Sequence, residues 1–251
     1  MSLIPPDLSL YAGWGLIALS FVTSAITAIL SIGGGLAMLA ALAAVAPASA
    51  IIPVHGAIQF GSNLSRVFFL RKAISWPTTF VFSLGSLVGL ALGGLLVVQL
   101  PADTLRLILG VYILYSMWGP NRLQLPTSGP TVLFAGGVVT SFLTMFIGAA
   151  GPFIASVLAP RLSDRVAYVA THGMCVLLQH GLKVVIFGVL GFVFLPWLPM
   201  LALMLLAGIA GTWAGAHVLH RLPEQTFRKI LKGILTLVAL FLLSSALGPF
   251  G

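Results

Sequence analysis

The chain has 251 residues, of which 59% are hydrophobic and only 6% charged, with a formal net charge of +8 and a single cysteine. So apolar a composition excludes an ordinary water-soluble domain and a disordered chain, and it leaves a polytopic membrane protein. One cysteine, Cys175, excludes structural disulfides and the thiol pair of a membrane oxidoreductase, and no HExxH, GxSxG or Walker pattern is present for a metalloprotease, a hydrolase or a nucleotide-driven pump.

In chain order, the N-terminal stretch MSLIPPDLSLYAGW carries an acidic residue and two prolines where a signal peptide would be basic, so no cleaved signal is expected. Apolar runs then fall at about 11 to 46, 51 to 70, 74 to 100, 104 to 118, 131 to 160, 166 to 195, 197 to 219 and 226 to 247. Most are near the roughly 20 residues that span a bilayer as a helix. They lack strand-like alternation, so helices and not a barrel satisfy their backbone in lipid. The connections are too short for a soluble domain, and the basic residues are scattered through them as topology signals, so a nucleic-acid partner is not expected.

The first run is interrupted at AILSIGGGLAMLAA, where Gly33, Gly34 and Gly35 are consecutive. The fifth run has its own interruption at FIGAAGPFI, with Gly148, Gly151 and Pro152. Shifting the chain by 117 residues superimposes these two places: Val22, Thr23, Ser24, Thr27 and Gly34 fall on Val139, Thr140, Ser141, Thr144 and Gly151. The same shift carries the dipeptide His55-Gly56 onto His172-Gly173, sets Asn63 opposite His180, and sets Arg66 opposite Lys183. After a five-residue insertion PADTLRLIL at Pro101 aligns with PEQTFRKIL at Pro223, and Gly89 and Gly93 meet Gly211 and Gly215. Few polar residues exist to be matched, so the agreement indicates an internal duplication: residues 1–120 and 131–251, joined by a linker at 121–130, within one integral membrane domain.

The positive bias of the loops falls at non-equivalent places in the two halves. Arg71 and Lys72 follow the second segment of the first half, whose counterpart is neutral; Arg161 and Arg165 follow the broken segment of the second half, whose counterpart is neutral; and the last loop has Arg106 against Arg221, Arg228 and Lys229. Such alternation predicts repeats of opposite orientation. If each first segment breaks at its glycines and turns back, three plain crossings remain per repeat and both termini lie outside. Arg71, Lys72, Arg122, Arg161, Arg165, Arg221, Arg228 and Lys229 then all lie on the cytoplasmic side, with Arg106 the exception. Glycine supplies the dihedrals of the turn and Pro152 suits the first position of the following helix. Gly85, Gly89 and Gly93 read instead as helix-packing positions.

A helix broken within the membrane presents free backbone N–H groups and the positive end of a half-helix, which together favour an anion. The second segment of each repeat adds donors: at about 100° per residue His55, Gln59, Asn63 and Arg66 share one face, and His172, Gln179, His180 and Lys183 share another. Taken singly, Arg66 and Lys183 could snorkel to the surface, and a buried histidine is most often a hydrogen-bonded core residue. The acidic residues, Asp7, Asp103, Asp164 and Glu224, all lie in tails or loops, so the intramembrane carboxylate of a cation carrier is missing.

The paired motifs SIGGGLAML and FIGAAGPFI, each followed by an HG segment, resemble the TauE/SafE sulfite exporter family over essentially the whole chain, the second motif being poorer in glycine than the first. The resemblance implies a multi-pass protein of the bacterial inner membrane that exports sulfite, sulfoacetate or a related organosulfur anion. The expectation is therefore an all-α membrane protein of two inverted repeats, a secondary transporter for a small anion working by alternating access. Its substrate contacts are expected at Gly33, Gly34, Gly35, His55, Gln59, Asn63, Arg66, Gly148, Gly151, His172, Gln179, His180 and Lys183. The histidines are candidates for proton coupling because imidazole titrates near neutrality. No metal or other cofactor is called for; the expected partners are the anion, the lipid bilayer and, left open, further copies in a homo-oligomer. A channel-like anion pore and a non-transporting membrane scaffold or assembly factor are the competing classes.

Overall fold

The computed structural model describes residues 2–30, 33–97, 101–119, 129–218 and 224–247. Ser31 and Ile32 of the SIGGG motif, Arg122 with most of the 121–130 connection, Arg221, Pro223 and Gly251 lie outside the described residues, as do the side chains of Arg165 and Arg228. Among the described residues every regular element is helical: α1 (Leu10–Leu30), α2 (Gly34–Val45), α3 (Ala48–Leu70), α4 (Trp76–Leu96), α5 (Ala102–Trp118), α6 (Pro130–Ile147), α7 (Gly151–Leu158), α8 (Arg165–Val189), α9 (Leu198–Val218) and α10 (Glu224–Leu247). Five of them are long and apolar enough to cross a membrane, over Leu10–Ala28, Trp76–Leu96, Pro130–Ile147, Val166–Val189 and Leu195–Gly215. This is an all-α, multi-pass membrane protein.

Both interrupted runs break at their glycines, and they break unequally. The first arms, α1 with 21 residues and α6 with 18, measure about 31 and 27 Å at 1.5 Å per residue. The second arms, α2 with 12 and α7 with 8 residues, measure only about 18 and 12 Å. Each break thus joins an arm of crossing length to a short one.

Helix limits recur along the chain. Leu30 and Ile147 end α1 and α6, Gly34 and Gly151 begin α2 and α7, and Ala48 and Arg165 begin α3 and α8, each pair 117 residues apart. Trp76 and Leu198, Leu96 and Val218, and Ala102 and Glu224 bound the later helices at a spacing of 122.

Packing divides the chain into two compact units, Met1–His55 with Val98–Gly119 and Phe194–Gly251, and Gly56–Val97 with Pro120–Val193. In the first, α1 packs on α9 and α2, and α5 on α10; in the second, α4 packs on α6 and α8, with α7 against both α6 and α8. Each unit thus draws helices from both halves of the sequence. Small residues explain the tightest pairings. On α4 the buried face runs Thr78, Phe82, Gly85, Ser86, Gly89, Gly93, and a Cβ on Gly85 or Gly89 would collide with the carbonyl of Phe134 or Val138 on α6. On α9 Gly211 meets the Phe21 carbonyl of α1 in the same way. Backbones approach this closely because lipid supplies no hydrophobic drive between apolar helices, so dispersion contact has to.

The polarity is that of a chain solvated by hydrocarbon. Phe80, Leu84, Leu87, Leu92 and Leu95 of α4 face outward, while Ser20, Thr23, Thr27, Asn63, Thr140, Ser141, Thr144 and Gln179 are buried. Within the second unit Phe82, Leu133, Ile154, Leu158 and Cys175 form a continuous apolar core.

Candidate functional site

In the first unit the site is the α1–α2 break and the start of α3. Gly33 has φ 100° and ψ −45°, a left-handed conformation that a residue with a Cβ rarely adopts. Gly34 then starts α2 so close to α1 that a Cβ would overlap the Thr23 carbonyl and the Thr27 hydroxyl. No side chain caps α2, so its first N–H groups face the break uncapped. His55, fully buried in the second turn of α3, donates from Nε2 to the Gly35 carbonyl at 2.9 Å. That bond fixes the proton on Nε2 and ties the histidine to the glycine segment. The two features sequence pattern put forward separately, the glycines and the first HG histidine, are thus in direct contact.

The second unit holds a denser arrangement. Gly148 has φ 84° and ψ −35° and ends α6; Ala150 leaves α7 without a side-chain cap, and Pro152 occupies its first turn, where a missing N–H costs nothing. Lys183, which has no solvent-exposed surface, donates from Nζ to the Gly148 carbonyl at 2.7 Å and to the Thr144 hydroxyl at 3.4 Å. One turn earlier on α8, Gln179 donates from Nε2 to Thr140 at 2.9 Å and to Ser141 at 2.6 Å. These acceptors are free to receive because Thr140 and Thr144 spend their own hydrogens on the carbonyls of Gly136 and Gly148. His172 brings Nε2 to 3.5 Å from the Gly151 carbonyl, while its buried Nδ1 has no hydrogen-bond partner among the described residues. Around Gly151 there is room: a Cβ there would meet nothing within 4 Å.

On α3, Asn63 donates to the Gln59 carbonyl at 2.7 Å and accepts from Arg66 Nη2. Arg66 is 4% exposed, so its guanidinium is turned into the protein and does not reach out to a surface. His180 and the Gln59 side chain are also buried. Of the expected residues, then, Lys183 and Gly148 are joined directly, as are His172 and Gly151, His55 and Gly35, and Asn63 and Arg66; Gln179 bonds to α6.

Thr140, Ser141 and Thr144 were not expected in the site. Their signal was present, since they are the residues the duplication aligns with Thr23, Ser24 and Thr27. A lone hydroxyl in a membrane helix bonds by default to its own backbone, so a role as acceptor emerges only once α8 is in place.

The electrostatics are one-sided. Among the described residues the only ion pair with a carboxylate is Arg106 to Asp103, at 3.1 Å in the first turn of α5. Asp164 is used as the N-cap of α8, accepting from the Ala167 amide at 2.7 Å. The hydrogen-bond partners of Lys183 are a carbonyl and a hydroxyl, both neutral. A lysine amine so placed has no charge beside it to offset its burial, and an anion next to it would favour its protonated form. No group of three or more His, Cys, Asp or Glu side chains converges among the described residues.

No curated protein and no solved structure matches the chain. The family profile described as sulfite exporter TauE/SafE matches residues 16–242, from within α1 to within α10, so that both glycine breaks and both HG helices fall inside the match. On that coverage the chain belongs to the sulfite exporter TauE/SafE family.

Proposed function

We propose that this protein is a secondary transporter of the bacterial inner membrane that exports a small anion, a sulfur oxyanion or an organosulfonate such as sulfite or sulfoacetate. The observation that carries the reading is Lys183: a lysine amine with no exposed surface, on a membrane helix, held at the Gly148 carbonyl of a broken helix with only neutral oxygens as its hydrogen-bond partners. An anion would supply the missing compensation, and uncapped N–H groups at the start of α7, with open space at Gly151, add backbone donors of the right sign. Arg66 contributes a planar fork that suits an oxyanion. Transport runs by alternating access of two inverted repeats; helix limits that recur at spacings of 117 and 122 residues support the duplication, and basic loops at non-equivalent places in the two halves support its inversion.

Tracer flux in proteoliposomes tests this. Saturable uptake of sulfite or sulfoacetate, accelerated by unlabelled anion on the opposite side, is expected, with weaker flux of sulfate and of zwitterionic taurine. Unsaturable flux without counter-substrate dependence would indicate a pore instead, and no flux of any anion would leave the scaffold reading.

The inverted scheme makes its own demand. Ser2 should be labelled from the periplasm, and cysteines introduced in the Arg71–Ala73 turn and the Arg161–Arg165 loop should both be labelled from the cytoplasm. Fully buried Cys175 can be replaced by alanine for the experiment. Labelling of the two loops from opposite sides would rule the scheme out.

A further inference from the structure

The HG dipeptide recurs on α3 and α8, and the histidines account for only half of it. A Cβ on Gly56 would lie 2.9 Å from Cε and 3.8 Å from Nζ of Lys183; a Cβ on Gly173 would lie 2.9 Å from Nε and 3.3 Å from Cζ and Nη2 of Arg66. All four residues are buried within the second unit. The arrangement is reciprocal: the glycine of each HG helix receives the cation of the other, and both the glycines and the cations are pairs separated by 117 residues.

These glycines differ from the packing glycines of the same unit. At Gly85, Gly89 and Gly137 the obstructing atoms are backbone carbonyls of a facing helix, so an added methyl would push two helices apart. At Gly56 and Gly173 the obstruction is the far end of a long, flexible cationic side chain. A methyl there can be accommodated by moving the cation and leaving the helices where they are. For Lys183 such a shift acts on an ammonium that must stay 2.7 Å from the Gly148 carbonyl.

We infer that Gly56 and Gly173 are positioning residues, each providing the notch in which the opposite repeat's cation is seated for anion binding. The inference rests on the transport reading above for what the cations bind, but the seating itself is a property of the fold and has its own test. Double-mutant cycles on the full-length protein in detergent separate the two. In thermal unfolding, Gly56→Ala should lower Tm in the native background and should raise it in a Lys183→Ala background, where the obstruction is gone and alanine is the better helix former. Gly173→Ala should behave in the same way with Arg66→Ala, whereas the crossed pairs, Gly56→Ala with Arg66→Ala and Gly173→Ala with Lys183→Ala, should be additive.

In sulfite titration, Gly56→Ala should weaken binding about tenfold in the native background, roughly the effect of losing one hydrogen bond, and should add nothing to Lys183→Ala. Gly181→Ala, which would press only on the Phe60 ring, should leave affinity unchanged. Additive Tm changes in both matched pairs would overturn the seating. Coupled Tm changes with sulfite affinity unaltered in both glycine variants would reduce the glycines to packing positions. If the native protein bound neither sulfite nor sulfoacetate, the transport reading would fail while the Tm cycles still decided whether the glycines seat the cations.

Discussion

Lys183→Met is expected to abolish saturable anion flux and at the same time to make the protein more resistant to thermal unfolding. The two effects share one cause. Lys183 is fully buried, and its ammonium is met by a carbonyl and a hydroxyl but by no carboxylate. Keeping a charge there without a counter-ion costs folding free energy, and replacement of buried ionic groups by apolar ones of similar volume has stabilised other proteins by about 1–4 kcal/mol. Methionine fills similar space, and the Thr144 hydroxyl keeps its own bond to Gly148, so no donor is orphaned. Loss of a charge-assisted hydrogen bond to the substrate should weaken binding by about 1.5–3 kcal/mol, on the order of 10- to 150-fold.

Arg66 gives a companion measurement. Arg66→Gln should lose affinity by a similar amount, and Arg66→Lys should recover part of it, because an ammonium retains the charge but not the fork that engages Asn63. Sulfite titration together with thermal unfolding checks all three variants. Unchanged affinity in Lys183→Met and Arg66→Gln would remove both cations from the site. A lysine-to-methionine variant that was less stable than the native protein would contradict the idea of an uncompensated charge.

The second large effect separates two glycines that the duplication treats as equivalent. From sequence, a leucine at either Gly34 or Gly151 should block the backbone turn and the approach of an anion. The structure divides these roles. Gly34 presses on the carbonyl of Thr23 and the hydroxyl of Thr27, and a backbone carbonyl inside α1 cannot yield, so even Gly34→Ala must pry α2 away from α1. Overpacking of this kind costs about 1–3 kcal/mol for ordinary core positions, and here the obstruction is backbone, so the full range or more is expected as a fall in Tm and in folded yield. Gly151 has nothing within 4 Å of its Cβ direction. Gly151→Ala should fold normally, and Gly151→Leu should keep its thermal stability yet lose flux, since its side chain would occupy the space beside His172 and the uncapped start of α7. Native flux in Gly151→Leu would show that this space is not used by substrate, and a collapse in its stability would show that the space is not open.

Much of the architecture was legible in the residues because the signals are local. Apolar runs of bilayer length, three consecutive glycines that interrupt one of them and a proline after the second interruption specify helices and breaks through short-range sterics alone, and all eight runs appear as helices in the expected places. The stripes of His55, Asn63 and Arg66 and of His172, Gln179 and Lys183 are equally local, since a helix of fixed pitch decides which residues share a face.

What only the tertiary structure decided are the pairings across distance. Lys183 finds Gly148 and Thr144, 35 and 39 residues away, and Gln179 finds Thr140 and Ser141; no periodicity encodes which hydroxyl is left with a lone pair to offer. Whether Arg66 and Lys183 would turn inward or snorkel outward was undetermined because their long stems reach either way, and burial settled it inward. The equality of Gly34 and Gly151 in the duplicated sequence concealed a crowded site and an open one, because a Cβ collides with whatever helix happens to face it. The two packing units cut across the sequence halves for a related reason: a glycine face such as that of α4 mates with whichever backbone fits it most closely, and that backbone, α6, comes from the other half of the chain.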